Sequence, residues 1–478
     1  MTNRLMPAMS FLLLLVFLVV VDDRVLPVRA VVPDGSMRFE LVREHGPDNG
    51  GAELQHTREL LQRDVARYRM ISQRRRVGQS ARRKTLEQEV PSRGIDCVNE
   101  TVSMDSPMIS GRDYGIGQYV VQVKVGTPPK KFRLIADLGS ELTWVRCHYD
   151  QRRPRHRRHG VFLPANSSTF TTIPCSSRTC KVDLMNLFSL TRCPIPSAPC
   201  AYDFRYLDGS AAVGIFAEET ITARLTNGHE MKMEKVLIGC SESIRGPTLQ
   251  AVDGVLGLAY TRPSFTATAA RRFDGKFSYC LVDHLSHKNV RSHLTFGNSR
   301  GHSRLLAKMR YTNLVLGGAI SPLYGVDISG ISIGGKLLDI PRQVWAPNSG
   351  GGVIMDSGTS LTFLAAPAYQ QVIGPLKASL SRYMRVNESV GPMEYCFDST
   401  GFEGSHVSRL VIHFEDGARF EPPVKSYVID VAPGIKCIGL LSAKWPSMSI
   451  IGNIMQQNHF WEFDLAEKKL GFAPSSCT

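Results

Sequence analysis

Two short segments have residue types and spacing suited to acid–base chemistry with water as the only other reagent. Ala136-Asp137-Leu138-Gly139-Ser140 and Met355-Asp356-Ser357-Gly358-Thr359 each place an aspartate at the end of an apolar run, a glycine two positions on and a hydroxyl three positions on. Glycine permits a sharp turn and a close approach, and the hydroxyl can hydrogen-bond the preceding carboxylate. One such turn, alone, most often only caps a β-turn. Here there are two, and each is followed by an apolar pair and a glycine, Val255-Leu256-Gly257 and Ile450-Ile451-Gly452. The repeat predicts two related halves, each donating one aspartate. Two carboxylates held close cannot both ionise cheaply, so the pair shares one proton. The ionised member can take a proton from water while the protonated member polarises a peptide carbonyl. That chemistry needs no metal, no covalent nucleophile and no cofactor.

The surrounding elements read as strands. Tyr119–Val125 and Phe132–Ala136 flank the turn Gly126–Pro129, and Leu294–Gly297, Val326–Ile333 and Val353–Met355 follow. The clearest helix follows Pro367, with an apolar stripe of Tyr369, Val372, Ile373, Leu376 and Leu380. Tyr202–Tyr206 alternates, Leu207-Asp208-Gly209-Ser210 is a hairpin turn, and Gly214–Glu218 returns. Tyr206 beside Gly209 suits a mobile lid, with ordinary cross-strand packing as the plainer reading. The expected fold is mostly β and bilobal with few helices, the lobes dividing near Asn298 to Lys308.

Length and composition agree. A chain of 478 residues is long enough for roughly three units, or two large lobes with additions. With 43% hydrophobic and 21% charged residues, wholesale disorder is excluded. The formal charge of +14 raises nucleic acid as a partner, but the arginines gather at Arg74–Arg76, Arg82–Lys84 and Arg152–His159 without aromatic interleaving or finger spacing. Nucleic acid is therefore not expected, and solvated loops are. Arg4, the apolar run Phe11–Val21 and Val28-Arg29-Ala30 read as a signal peptide over residues 1–30. That run is shorter than the about 20 residues a membrane span needs, and no stable insertion is expected. Residues 31–112 are polar and Arg-rich, with a helical stretch around Leu54 to Ile71 and no strand alternation, and read as a pro-segment or spacer. Residues 113–300 and 301–478 are assigned to the two lobes. The pro-segment arginines are expected to lie across the cleft and pair with the aspartates until acid releases them.

Eleven cysteines include only Cys97 before residue 147, and the other ten form an even set. Cys175, Cys180, Cys193 and Cys200 are close enough to staple an insertion ahead of the hairpin, with connectivity open and a zinc site as the rival reading. Asn99, Asn166 and Asn387 begin glycosylation sequons, usable only in the secretory route.

From Tyr119 to Cys477 the chain resembles the pepsin-like aspartic proteases, specifically the plant nepenthesin-type group. The resemblance rests on Asp137-Leu-Gly-Ser140 with Leu142-Thr-Trp144, Tyr206-Leu-Asp-Gly-Ser210, Phe277-Ser-Tyr-Cys280, Asp356-Ser-Gly-Thr359 and Ile451-Gly-Asn453, in that order. It implies Asp137 and Asp356 as the catalytic dyad, Gly139 and Gly358 in its turns, and Ser140 and Thr359 bonding the outer carboxylate oxygens. It also implies a flap carrying Tyr206 and Gly209 over the cleft, with Trp144 bonding the flap tyrosine. Disulfides Cys147 with Cys240, Cys280 with Cys477 and Cys396 with Cys437 are implied, the central four pairing among themselves. Protein or peptide substrates, a monomeric state and a secreted, vacuolar or plastid location complete the expectation. Two departures stand out. Leu138 replaces the usual Thr, leaving Ser357 as a one-sided tie between the turns, so an impaired protease-like binding or inhibitor-type protein is the alternative function. A Cys-x-x-Cys staple usual in relatives gives way to the Arg-rich His148–His159.

Overall fold

The two aspartate turns sit at the ends of matching strand units. Lys130–Asp137 runs parallel to Gly254–Gly257, with Asp137 opposite Gly257, and Trp144–Arg146 meets Gly254–Gly257 antiparallel. In the second half Val353–Met355 runs parallel to Ser449–Ile451, and Thr362–Ala365 meets that strand antiparallel through Phe363 and Ile450. Trp144–Arg146 is parallel to Glu230–Arg245, as Thr362–Ala365 is to Leu440–Ala443. Strands covered on both faces read as continuous apolar runs rather than alternation. Leu134–Asp137, Val353–Met355 and Ser449–Ile451 are buried at every position.

The computed structural model describes residues 58–59, 61–69, 103–111, 117–149, 160–184, 190–205, 210–284, 292–298, 305, 307–386 and 390–477. The expected signal peptide, Cys97, Asn99, Asn387, the three arginine runs and the flap tip with Tyr206 and Gly209 lie outside them. Gly50–Thr478 forms one compact unit. Its halves are joined by a continuous antiparallel run of Met104–Ser110, Ser292–Phe296, Lys276–Cys280, His459–Asp464, Lys469–Pro474 and Arg310–Val315. The run is sealed by Phe277 stacked on Phe463 with ring centroids 4.6 Å apart. The fold is thus mostly β and bilobal, as the sequence predicts.

Met104–Ser110 is a strand where the sequence reading has none. Asp105, Ser106 and Pro107 break its alternation, and it is formed by non-local partners that bury Met104 and Met108. The helix after Pro367 spans Ala366–Ser379 and buries Tyr369, Val372, Ile373 and Leu376. The hairpin arms Ala201–Arg205 and Ala211–Arg224 pair with Arg205 opposite Ala211. Disulfides join Cys147 to Cys240, Cys280 to Cys477 and Cys396 to Cys437, and the central four pair as Cys175–Cys193 and Cys180–Cys200. These bridges occupy the thiols that the zinc reading needed. Among the described residues no helix is long and apolar enough to cross a membrane.

Candidate active site

Asp137 and Asp356 meet across the junction of the halves, both almost wholly buried. In each turn the glycine amide caps the carboxylate: Gly139 N–H donates to Asp137 Oδ1 at 2.9 Å and Gly358 N–H to Asp356 Oδ1 at 3.0 Å. Both positions require glycine for space. A Cβ on Gly139 would stand 2.9 Å from Asp356 Oδ1, and one on Gly358 would collide with Asp137 Oδ1. Behind the turns, Gly257 N–H donates to Thr143 Oγ1 at 3.1 Å and Gly452 N–H to Thr362 Oγ1 at 3.3 Å, so the duplication extends to the hydrogen bonds.

The other supports differ between halves. Thr359 Oγ1 donates to Asp356 Oδ2 at 2.5 Å. Ser140 Oγ has no partner among the described residues, while Asp137 Oδ1 accepts from Gly139 N–H and Arg67 Nη2 and Oδ2 accepts from Arg67 Nη1. Ser357 Oγ donates to Ala136 O at 2.8 Å and accepts from Leu138 N–H at 3.1 Å, so one hydroxyl ties the turns together. Leu138 is fully buried and its side chain offers no bond in return. The Trp144 indole N–H is buried without a partner among the described residues, and its expected partner, Tyr206, lies outside them. Asn166 is exposed on a short helical turn, Pro164–Asn166, as a glycan acceptor must be.

Residues 61–69 form a helix that fills the space before the dyad. Leu61, Asp64 and Tyr68 are buried on one face, at i, i+3 and i+7. Arg67 points at the aspartates. Its Nη1 and Nη2 donate to Asp137 Oδ2 and Oδ1 at 3.2 and 2.5 Å. Its Nη2 and Nε donate to Asp356 Oδ1 and Oδ2 at 3.1 and 3.0 Å. One nitrogen, Nη2, therefore touches both carboxylates. Burial by itself would favour loss of the guanidinium charge, but the two facing carboxylates outweigh it and hold Arg67 protonated. Asp64 accepts Ser360 N–H at 3.1 Å and Leu361 N–H at 2.6 Å, anchoring the helix to the segment that follows the Asp356 turn. Burial raises the Asp64 carboxyl from 3.8 to about 6 against the pull of those amides. The Tyr68 ring stacks on Phe363 at 4.6 Å, and its hydroxyl meets Ser447 Oγ. Leu61 and Tyr68, 5% and 6% exposed, each contribute roughly 1.5–3 kcal/mol to docking.

The sequence reading expected arginines across the cleft without singling out Arg67, and it missed Asp64 and Tyr68. The available signal was a charged residue, Asp64, on an otherwise apolar helical stripe of Leu61, Val65 and Tyr68.

The duplicated strand units and the paired Asp-x-Gly-Ser/Thr turns define a pepsin-like bilobal aspartic protease fold. Residues 119–298 and 323–474 match the models of the xylanase inhibitor N-terminal and C-terminal domains. The chain is 32% identical to aspartyl protease family protein 2 of Arabidopsis thaliana, over 87% of this chain and 80% of that one. It is 30% identical to aspartic proteinase nepenthesin-1 of Nepenthes gracilis, over 76% and 79%. The chain belongs to the pepsin-like aspartic protease family, in its plant, nepenthesin-type branch. Among solved structures it is similar to soybean basic 7S globulin (TM-score 0.60, 18% identity, covering 78% of this chain and 95% of that one). It is also similar to edgp (TM-score 0.63, 19% identity, covering 82% and 97%). These two likenesses concern the fold.

Proposed function

We propose that the protein is an aspartic endopeptidase in which Asp137 and Asp356 share one proton and activate a water for attack on a peptide bond. The observation that carries this reading is the single nitrogen of Arg67 bonded to both carboxylates. An atom placed there is held by both groups at once, as an attacking water must be. In catalysis the ionised aspartate accepts the water proton and the protonated one donates to the carbonyl oxygen of the substrate. The same proton inventory then serves departure of the amine. Ser357 and Thr359 orient the pair, and the hairpin ending near Tyr206 and Gly209 covers the substrate.

The described form is a latent one on this reading. The 61–69 helix, residues 31–112 being the pro-segment, excludes substrate and neutralises the dyad until it is displaced. Proteins and peptides are the substrates, the two lobes are residues 113–300 and 301–478, and the chain acts as a monomer. Five disulfides favour an oxidising compartment, consistent with entry through a signal peptide at residues 1–30 and with glycans on Asn99, Asn166 and Asn387.

Leu138 favours a second reading, an impaired protease-like binding or inhibitor-type protein. Acid proteolysis of a denatured protein by the acid-treated chain and by Leu138→Thr, with and without a dyad-directed inhibitor, separates the two. Inhibitor-sensitive cleavage by the native sequence supports the endopeptidase. Cleavage absent from both proteins supports the binding protein.

A further inference from the structure

Beyond the residues that touch the reacting atoms, the Asp356 turn is held from behind by a buried amide and an imidazole. Asn453, fully buried at the start of the short helix Asn453–Gln456, donates from Nδ2 to Ser357 O at 3.0 Å and to Gly117 O at 2.9 Å. Its backbone N–H donates to Thr359 O at 2.7 Å. Asn453 thus holds the carbonyls of two residues of the turn and ties them to the strand-entry residue Gly117 of the other half. With both amide hydrogens committed to carbonyls, Oδ1 is left as an acceptor. His284 Nε2 lies 3.3 Å from that oxygen, so the ring must carry its proton on Nε2 to bond it. Ser110 Oγ stands 2.6 Å from Nδ1 and can donate to the neutral ring. The ring is stacked on Tyr119 with centroids 4.8 Å apart. Tyr119 is fixed in turn, donating from its hydroxyl to Val282 O and accepting from Gln457 Nε2 at 2.9 Å.

We propose that His284 is a positioning residue for the Asp356 turn: its Nε2–H fixes the orientation of the Asn453 amide, and that amide fixes the Ser357 carbonyl beside the catalytic aspartate. A rotated Asn453 amide would turn its oxygen toward two carbonyl oxygens, losing both bonds and adding repulsion at the turn. Among the described residues the first half has no equivalent device: Leu258 stands where Asn453 stands in the second and supports Asp137 O by its backbone N–H, at 2.8 Å. The catalytic part of this inference rests on the endopeptidase reading. The brace itself does not.

The test uses the full chain, acid-treated for kinetics, as wild type, His284→Ala and His284→Gln. Gln retains a donor where Nε2 stands, whereas Ala retains none. The expected result is a fall of about tenfold in kcat for His284→Ala with KM within twofold, and recovery of most of that loss in His284→Gln, because displacement of a reacting group by a fraction of an ångström costs rate before binding. Equal kcat in all three proteins, or a loss in both variants that tracks melting temperature alone, would overturn the proposal. If the wild type cleaves nothing, the endopeptidase reading falls. Nitrogen-15 NMR of the histidine rings then decides the brace, with the His284 resonance identified by its absence from His284→Gln. A neutral ring protonated at Nε2, losing that preference in Asn453→Leu, supports it. A ring protonated at Nδ1 rejects it.

Discussion

The two aspartate turns share one backbone and differ in what their side chains do. Apart from the docked Arg67, the support around Asp137 comes almost wholly from main chain: Gly139 N–H to the carboxylate, Leu258 N–H to Asp137 O, and Ala259 N–H to Ser140 O at 3.0 Å. Leu138 contributes no polar bond from its side chain, and the Ser140 hydroxyl has no partner among the described residues. Around Asp356 side chains do the same work several times over. Thr359 bonds the carboxylate, Ser357 reaches across to the other turn, Asn453 holds Ser357 O, and Gln456 Nε2 reaches Asp356 O at 3.4 Å. Gln456 is itself held by Tyr279, whose hydroxyl donates to Oε1 at 2.5 Å and whose burial keeps the phenol protonated. The duplication therefore conserved geometry while polar support collected in the second half. The first turn is placed by its strand ladder and by what the second turn extends to it.

The blocking helix tests that contrast most strongly, because it grips both turns at once. Replacing Arg67 by Ala removes the shared partner of two buried carboxylates and should weaken docking by about 3–5 kcal/mol. The full chain, without processing, should then bind a dyad-directed inhibitor at least about a hundredfold more tightly, a factor that follows from that free energy. Unchanged affinity on calorimetric titration would show that the helix does not occlude the dyad.

Ser357→Ala strikes the tie that the Ser357 hydroxyl makes between the turns. It leaves the Leu138 N–H and Ala136 O without their partner, a loss of about 1–3 kcal/mol that denaturant unfolding should read. Leu138→Thr is the reverse experiment and the smaller effect. A restored hydroxyl should add about 1 kcal/mol and raise kcat. If it lowers stability, the pocket around residue 138 has adapted to leucine, and the one-sided tie is a settled design rather than a defect.

Asp64 gives the smallest effect and a defined pH sign. Its docked carboxyl titrates near 6 against 3.8 when free, so docking takes up a proton. Its contribution is fully present below 3.8 and is lost as pH rises through about 6. Asp64→Asn should flatten this limb: hydrogen exchange of residues 61–69 should depend less on pH between about 4 and 6 than in the wild type.

Much of this was legible in the sequence. The paired Asp-x-Gly-Ser/Thr turns and the glycine triplets announced the duplication, because those positions carry backbone constraints that only a few residue types meet. Leu138 was visible as a lost hydroxyl. What stayed hidden depends on contacts between distant segments. Met104–Ser110 owes its strand to Ser292–Phe296 and Tyr119–Val125. Arg67 owes its role to a docked helix, and His284 reaches the second turn through Asn453. None of these leaves a periodic pattern, since each partner lies tens to hundreds of residues away.

Whether Asp137 and Asp356 act as one acid–base unit is read from the rate of inhibitor-sensitive peptide cleavage by acid-treated wild type, Asp137→Asn and Asp356→Asn. Each substitution alone should lower kcat by about 10²–10⁴-fold, since neither residue has a substitute for its half of the proton transfer. Cleavage that survives at wild-type rate in either variant would contradict the account.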